Sequence, residues 1–198
     1  MDKEIHRVAI VGACGMGGLF GSILSSGGLD VTLIDTNRRQ IEAISQNGLR
    51  ISGFGGERQL RLPIKHDAGQ VQQADVVLVQ CKGTSTRDAA LAMKHLAKNG
   101  SIFISFQNGL GNEDILADIL GSQNVFGGLT SMAGACTGPG QYQDFGRAPS
   151  FIGEWDGGAS QRAKAIANAF TIAGLETYDS KDIRVDIWKK LVGNMAMS

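Results

Sequence analysis

The sequence predicts an α/β fold: a doubly wound parallel sheet with added antiparallel strands, followed by the start of a helical C-terminal domain. Three observations carry that expectation. Short β-branched runs alternate with helical segments up to about residue 127, the order that builds a parallel sheet with helices on both faces. The first run ends in a glycine cluster that opens a helix. An acid, Asp35, closes the second run.

The elements follow in order. Val8 to Val11 is apolar throughout, as a strand buried on both faces must be, and it runs into Gly12–Gly18. Met16 to Leu24 reads as a helix stopped by Gly27-Gly28, and Val31 to Ile34 as a second buried strand. Arg38 to Gln46 is a helix with Ile41 and Ile44 inward, closed by Asn47-Gly48. Residues 49–63 alternate and are broken by Gly53, Gly55 and Gly56, which predicts a hairpin beside the sheet. Residues 74–79 and 102–106 read as strands, 84–96 and 112–120 as helices, and Val125-Phe126 as a short strand. From residue 129 to 155 glycine and proline punctuate short runs, and antiparallel strands are expected there. A helix over 159–173, a strand over 175–178 and a last helix from Ile183 complete the chain. That helix is still running at Ser198 without a C-cap, the pattern expected of a piece of something longer. The division expected is a dinucleotide-binding domain over residues 1–179 and the first helix of a helical substrate domain over 180–198.

Composition narrows the function classes. Apolar residues make up 42% of the 198 residues, enough for a core. Lys plus Arg and Asp plus Glu both number 19, with no basic run, so no nucleic-acid partner is expected. No apolar stretch is long enough to span a bilayer, and the N-terminus lacks the apolar core of a signal peptide. The cysteines, Cys14, Cys81 and Cys136, are odd in number and far apart, which fits a reducing, cytoplasmic setting rather than a disulfide framework. Three histidines without ligand spacing argue against a metal site.

The loop Gly12-Ala13-Cys14-Gly15-Met16-Gly17 is the first candidate site. In a Rossmann-type fold the first glycine allows a tight turn, the second lets the backbone approach a pyrophosphate, and the third lets helix and strand pack closely. Gly12 and Gly17 fill the first and third places, but Cys14 fills the second, and Gly15 is the nearest substitute. The helix N-terminus adds N–H groups and a positive dipole end for phosphates. Asp35 stands where an acid accepts hydrogen bonds from the adenine-side ribose and repels a 2′-phosphate, which tilts the expectation toward NAD(H). Arg38 and Arg39 pull the other way, since either could reach a 2′-phosphate, or they are simply a solvated helix start. Two plainer readings stand beside these: a structural turn with Asp35 capping a helix, and Cys14 as a packed small residue rather than a thiolate activated at a helix N-terminus.

At this point the sequence resembles the ketopantoate reductase (2-dehydropantoate 2-reductase) family over nearly its whole length. The residues that carry the resemblance are Val11-Gly-Ala-Cys-Gly-Met-Gly-Gly-Leu-Phe-Gly21, Cys81-Lys82, Gln107-Asn-Gly-Leu-Gly111, Gly138-Pro-Gly140 and Trp188-Lys-Lys-Leu191 with Asn194. The resemblance implies NAD(P)H-dependent reduction of a 2-oxo acid to a 2-hydroxy acid, with ketopantoate giving pantoate in pantothenate biosynthesis. It implies a cleft between a Rossmann domain and a helical domain, and a homodimer through that helical domain. It places Lys82 and Asn108 at strand ends facing the cofactor, Gly134 near the nicotinamide, Lys190 as the general acid, and Asn194, with Asn108, on the substrate. Three departures stand out: Cys14 in the loop, Asp35 where NADPH-using relatives often carry a basic residue, and Ser198 where a second substrate-binding asparagine is often found. The remaining active-site residues of the family fall beyond Ser198, which leaves open whether this length of chain turns over alone.

The residues agree with that chemistry on their own terms. Hydride delivery to a ketone builds negative charge on oxygen, and a nearby ammonium stabilises it and donates the proton. Lys190 and Asn194 are four apart and share one helix face, while Lys189 points about 100° away. The plainer readings are an exposed helix lysine for Lys190, a turn residue for Asn108 and a solvated loop charge for Lys82. Two other functions compete: a dehydrogenase for another small 2-hydroxy acid, and a non-catalytic NAD(P)-binding sensor. A sensor has no need of Lys190 and Asn194 on one cleft-facing helix face.

Overall fold

The computed structural model describes the backbone of residues 4–197 and the side chains of residues 4–193. Its centre is an eight-stranded sheet. β1 (Arg7–Val11) lies between β2 (Asp30–Ile34) and β6 (Val76–Val79), and all three are parallel. β5 (Ile64–Lys65) extends the sheet beyond β2. On the other side come β7 (Ile102–Ser105) and β8 (Val125–Thr130), both parallel. β11 (Ser150–Glu154) then runs antiparallel to β8 and carries β12 (Thr177–Asp179) at the edge.

Strand residues point alternately to opposite faces, and both faces are buried. Val8 and Ile10 join one apolar cluster and Ala9 and Val11 the other, as do Val76 and Leu78 against Val77 and Val79. The first cluster is covered by α1 (Met16–Ser26), α2 (Arg38–Asn47) and α6 (Gln161–Ile172) through Leu19, Phe20, Ile44, Ile166 and Phe170. The second is covered by α3 (Thr86–Ala92), α4 (Lys94–Lys98) and α5 (Asn112–Leu120) through Ala90, Leu96 and Leu116. The last helix, α7 (Ile183–Met197), rests on β8 and β11, with Ile183 buried between them.

Three expectations need correcting, while the hairpin expected beside the main sheet over residues 49–63 is present as β3 (Leu49–Gly53) and β4 (Arg58–Leu60). It joins β9 (Gly134–Gly138) and β10 (Gln141–Asp144) in a separate four-stranded sheet, ordered β4-β3-β10-β9. The β3–β10 pair is parallel, so this region is not wholly antiparallel. The helix expected over 84–96 is divided at Met93, whose N–H is shared between the carbonyls of Ala89 and Ala90. β8 runs to Thr130, well past Phe126, because Gly127 to Thr130 pair with β11.

Candidate active site

Strand order reverses at β1, so the crevice beyond the carboxyl ends of β1, β6 and β7 is where such a sheet binds ligands. The glycine loop leaves β1 there. Gly12 has φ +99° and donates its N–H to the Ile34 carbonyl at 2.8 Å. A Cβ on Gly12 would sit 2.7 Å from the Cys81 backbone nitrogen, and one on Gly17 would sit 1.8 Å from the Gly12 carbonyl oxygen. The first and third glycines are therefore obligatory. Gly15 caps α1 at φ +47° with open space around it, and no side chain caps that helix end. Cys14 occupies the place of the second glycine, and Gly15, one residue later, is the loop glycine with open space around it.

Asp35 grips the loop directly. Its Oδ2 accepts the Ala13 N–H and its Oδ1 the Asn37 N–H, both at 2.8 Å. The helix cap is Asn37, which accepts the Arg39 N–H at 3.1 Å, so the capping role does not fall to Asp35. Each carboxylate oxygen keeps a second lone pair for a ligand hydroxyl. Arg38 and Arg39 are exposed at the start of α2.

Sequence reasoning missed what lies beneath the loop. Gln40, 3% exposed on the inner face of α2, donates from Nε2 to the Ala13 carbonyl at 2.8 Å and to the Tyr142 hydroxyl at 2.5 Å. Tyr142 in turn donates to the Ala13 carbonyl. The Gly140 N–H donates to Gln40 Oε1 at 3.1 Å. The second sheet thus braces the loop from below. Burial, with Cys136 and Cys14 nearby, pushes the Tyr142 phenol up, so it stays a donor. One signal was available: Gly18, where a Cβ would fall 2.2 Å from the Tyr142 ring. Cys14 is exposed at the loop tip, and partial desolvation with the neighbouring Cys136 pushes its thiol up to about 11, the direction opposite to an activated thiolate.

At the next two strand ends, Lys82 follows β6 and is exposed, and Asn108 follows β7 and is also exposed. Lys190 reaches them from α7. Its ammonium donates to the Thr130 carbonyl at 2.9 Å and to Asn108 Oδ1 at 3.5 Å. Half-burial lowers its pKa below the ordinary lysine range. Lys189 turns away and meets Asp186 at 3.6 Å, with its side chain 74% exposed. Asn194 stands one turn beyond Lys190 in α7, but its side chain lies outside the described residues. Gly134 begins β9 beside Leu19 and Met16 of α1, and so lies on the glycine-loop side of the crevice. Among the described residues no group of three His, Cys, Asp or Glu side chains could hold a metal ion, and no helix is long and apolar enough to cross a membrane.

The family model described as ketopantoate reductase PanE/ApbA matches residues 8–157. The chain belongs to the ketopantoate reductase family. Similar relatives include the 2-dehydropantoate 2-reductase of Archaeoglobus fulgidus, 32% identical over 98% of this chain and 63% of that protein. That of Halobacterium salinarum is 30% identical over 97% of this chain and 63% of its own length. The chain thus spans less than two thirds of these relatives. Among solved structures, the 2-dehydropantoate 2-reductase from Geobacter metallireducens is 30% identical with a TM-score of 0.87, covering 95% of this chain and 62% of that one. D-Mandelate dehydrogenase, solved with NADH and anilino(oxo)acetate, is 27% identical with a TM-score of 0.83, covering 92% of this chain and 59% of that one. The ketopantoate reductase match spans the glycine loop, Lys82, Asn108 and Gly134, whereas Lys190 lies beyond it, within the reach of the full-length relatives.

Proposed function

We propose that this chain is the cofactor-binding portion of an NAD(P)H-dependent 2-oxo acid reductase, acting on 2-dehydropantoate to give pantoate for pantothenate biosynthesis. The observation that carries the reading is Lys190. A half-buried ammonium from the last helix is held on Asn108 and on the end of β8, at the sheet edge where the glycine loop opens.

The cradle fits a dinucleotide. Gly12 and Gly17 leave no room for a Cβ, and the start of α1 has no side-chain cap, so the backbone there is free to meet a pyrophosphate. When bound, the nicotinamide supplies the hydride. The chain's own part is to hold the substrate and move a proton. Lys190 sits where an ammonium stabilises charge developing on a ketone oxygen and then protonates it. Asn108 orients that ammonium through Oδ1 and keeps its amide N–H₂ for the substrate or cofactor. Asn194 follows Lys190 by one helical turn, and the family resemblance assigns it to the substrate. The test is loss of nicotinamide absorbance at 340 nm with 2-dehydropantoate and each cofactor. No oxidation of NADH or NADPH with any 2-oxo acid, by full-length protein shown to bind the cofactor, would remove the reading. Turnover of an aromatic 2-oxo acid in place of 2-dehydropantoate would move the substrate toward the one suggested by the likeness to D-mandelate dehydrogenase.

The cofactor assignment is NAD(H) before NADP(H), on the strength of Asp35. A 2′-phosphate there meets a like charge. At about 4 Å in water that is roughly 1 kcal/mol, or about fivefold in affinity. Asp35→Ala also removes the bonds to Ala13 and Asn37, so it should weaken both cofactors. Asp35→Asn keeps an acceptor and drops the charge, so it should narrow the NADH preference by about fivefold. Fluorescence titration with both cofactors checks this. Tighter binding of NADPH to the unmodified chain would overturn it and direct attention to Arg38 and Arg39.

A further inference from the structure

Asn108 opens an exposed, glycine-rich stretch. Gly109 and Gly111 have φ of +96° and +87°, a Cβ on either would meet no atom within 4 Å, and Asn108, Gly109 and Leu110 are all exposed. A free loop of this kind would let the Asn108 carboxamide wander by more than the Lys190 contact tolerates. Both ends of the stretch are nevertheless tied to one buried hydroxyl.

That hydroxyl belongs to Thr86, fully buried in the first turn of α3. It accepts from Gln107 Nε2 at 2.8 Å, just before Asn108, and donates to Asn112 Oδ1 at 3.0 Å, just after Gly111. Gln107 Nε2 also donates to the Cys81 carbonyl at 2.8 Å, beside Lys82. Asn112 Nδ2 returns to the Asn108 carbonyl at 3.3 Å. The Thr86 oxygen therefore joins the loop that follows β6 to the loop that follows β7, and closes the neck of the turn that presents Asn108. A hydroxyl can be donor and acceptor at once, and here both capacities are used. An isosteric valine could do neither.

We propose that Thr86 is a positioning residue for the reaction, fixing Asn108 against Lys190 through Gln107 and Asn112. It touches neither substrate nor cofactor. The assignment rests on the proposed reductase reading, whereas the clamp itself stands on the hydrogen bonds. Misplacing a substrate-facing group by about 1 Å can cost about a hundredfold in rate, and a loosened turn acts on the chemical step more than on the dinucleotide, whose pyrophosphate and ribose fall to Gly12–Gly17 and Asp35 in the proposed reading, with only its nicotinamide end near Asn108.

The test compares Thr86→Val and Thr86→Ser with the unmodified chain. In the full-length enzyme Thr86→Val should lower kcat for the 2-oxo acid by about tenfold to a hundredfold, raise the dinucleotide Kd by no more than about a few-fold, and lower the NMR order parameters of residues 108–111. Thr86→Ser should restore both kcat and the order parameters. Circular dichroism and melting curves establish that each variant is folded. A folded Thr86→Val with unchanged kcat and unchanged order parameters at residues 108–111 overturns the proposal. So does a parallel fall in kcat and cofactor affinity that serine fails to rescue, which marks the hydroxyl as a general structural bond. If the full-length protein reduces no 2-oxo acid, the reductase reading fails separately, and the mobility comparison still decides the clamp: equal order parameters at residues 108–111 in the valine variant remove it.

Discussion

Gly12→Val should abolish dinucleotide binding, raising Kd by at least about a hundredfold, the scale of a roughly 3 kcal/mol loss. Two independent strains meet at this residue. At φ +99° an L side chain is disfavoured whatever the space. Its Cβ would also stand within 2.9 Å of three atoms of the Gln80–Cys81 backbone. Those atoms end a buried strand and cannot swing aside as a flexible side chain would. The loop must therefore shift, and with it the N-terminus of α1. The same contact means that the fold itself is strained, by about 1–3 kcal/mol, so the melting temperature should fall as well. Gly15→Ala is the control: it carries the φ penalty at +47° but meets no atom within 4 Å, so its effect on Kd should be several times smaller. Isothermal titration on the folded fraction checks both. Unchanged affinity in folded Gly12→Val would mean that the dinucleotide does not use this loop.

The parallel half of the fold was legible because its signals are local. A buried strand needs a continuous apolar run, a phosphate loop needs glycine at fixed places, and the acid at the end of β2 lies a fixed distance on. Val8 to Val11, Gly12, Gly17 and Asp35 satisfy these requirements within thirty or so residues of chain. Lys190 was legible for a different reason. The family resemblance singled it out, and helical spacing separated it from Lys189, whose side chain is indeed turned to Asp186.

The second sheet was not legible, because its partner choice is non-local. Alternation in residues 49–60 marks strands, but β3 pairs with β10, with Ile51 opposite Tyr142 some ninety residues later. Nothing in the period-2 pattern names a partner at that distance. Gln40 was missed for the same reason. A glutamine in α2 reads as solvent-facing until Tyr142 and Gly140 arrive from β10 to satisfy it. The break at Met93 has no glycine or proline to announce it, since a buried methionine continues a helical pattern as well as any residue. Thr86 gave no signal either: a threonine near a helix start is commonplace, and its importance comes from Gln107 and Asn112 on the neighbouring loop.

In the full-length enzyme Lys190→Ala should lower turnover by about 10²–10⁴, the usual range for a lost general acid or base, with dinucleotide affinity little changed. A hydride transferred to a 2-oxo acid leaves an alkoxide that must be protonated. Lys190 presents an ammonium at the sheet's ligand-binding edge, steadied by the Thr130 carbonyl and by Asn108. Lys189, exposed and paired with Asp186, is the internal control, and its replacement by alanine should change turnover by less than about twofold, as for other solvated surface pairs. The pH profile separates proton donation from charge alone. Burial lowers the Lys190 pKa, so the acid is lost as pH rises through a value below that of an ordinary lysine, and the rate should fall on that alkaline limb. Lys190→Arg keeps the positive charge but cannot give up its proton, because a guanidinium holds it to above pH 12. That variant should retain more activity than alanine while losing the limb. Equal and small losses from Lys189→Ala and Lys190→Ala, with the alkaline limb intact in both, would mean that the proton comes from elsewhere and that α7 serves only to cover the sheet.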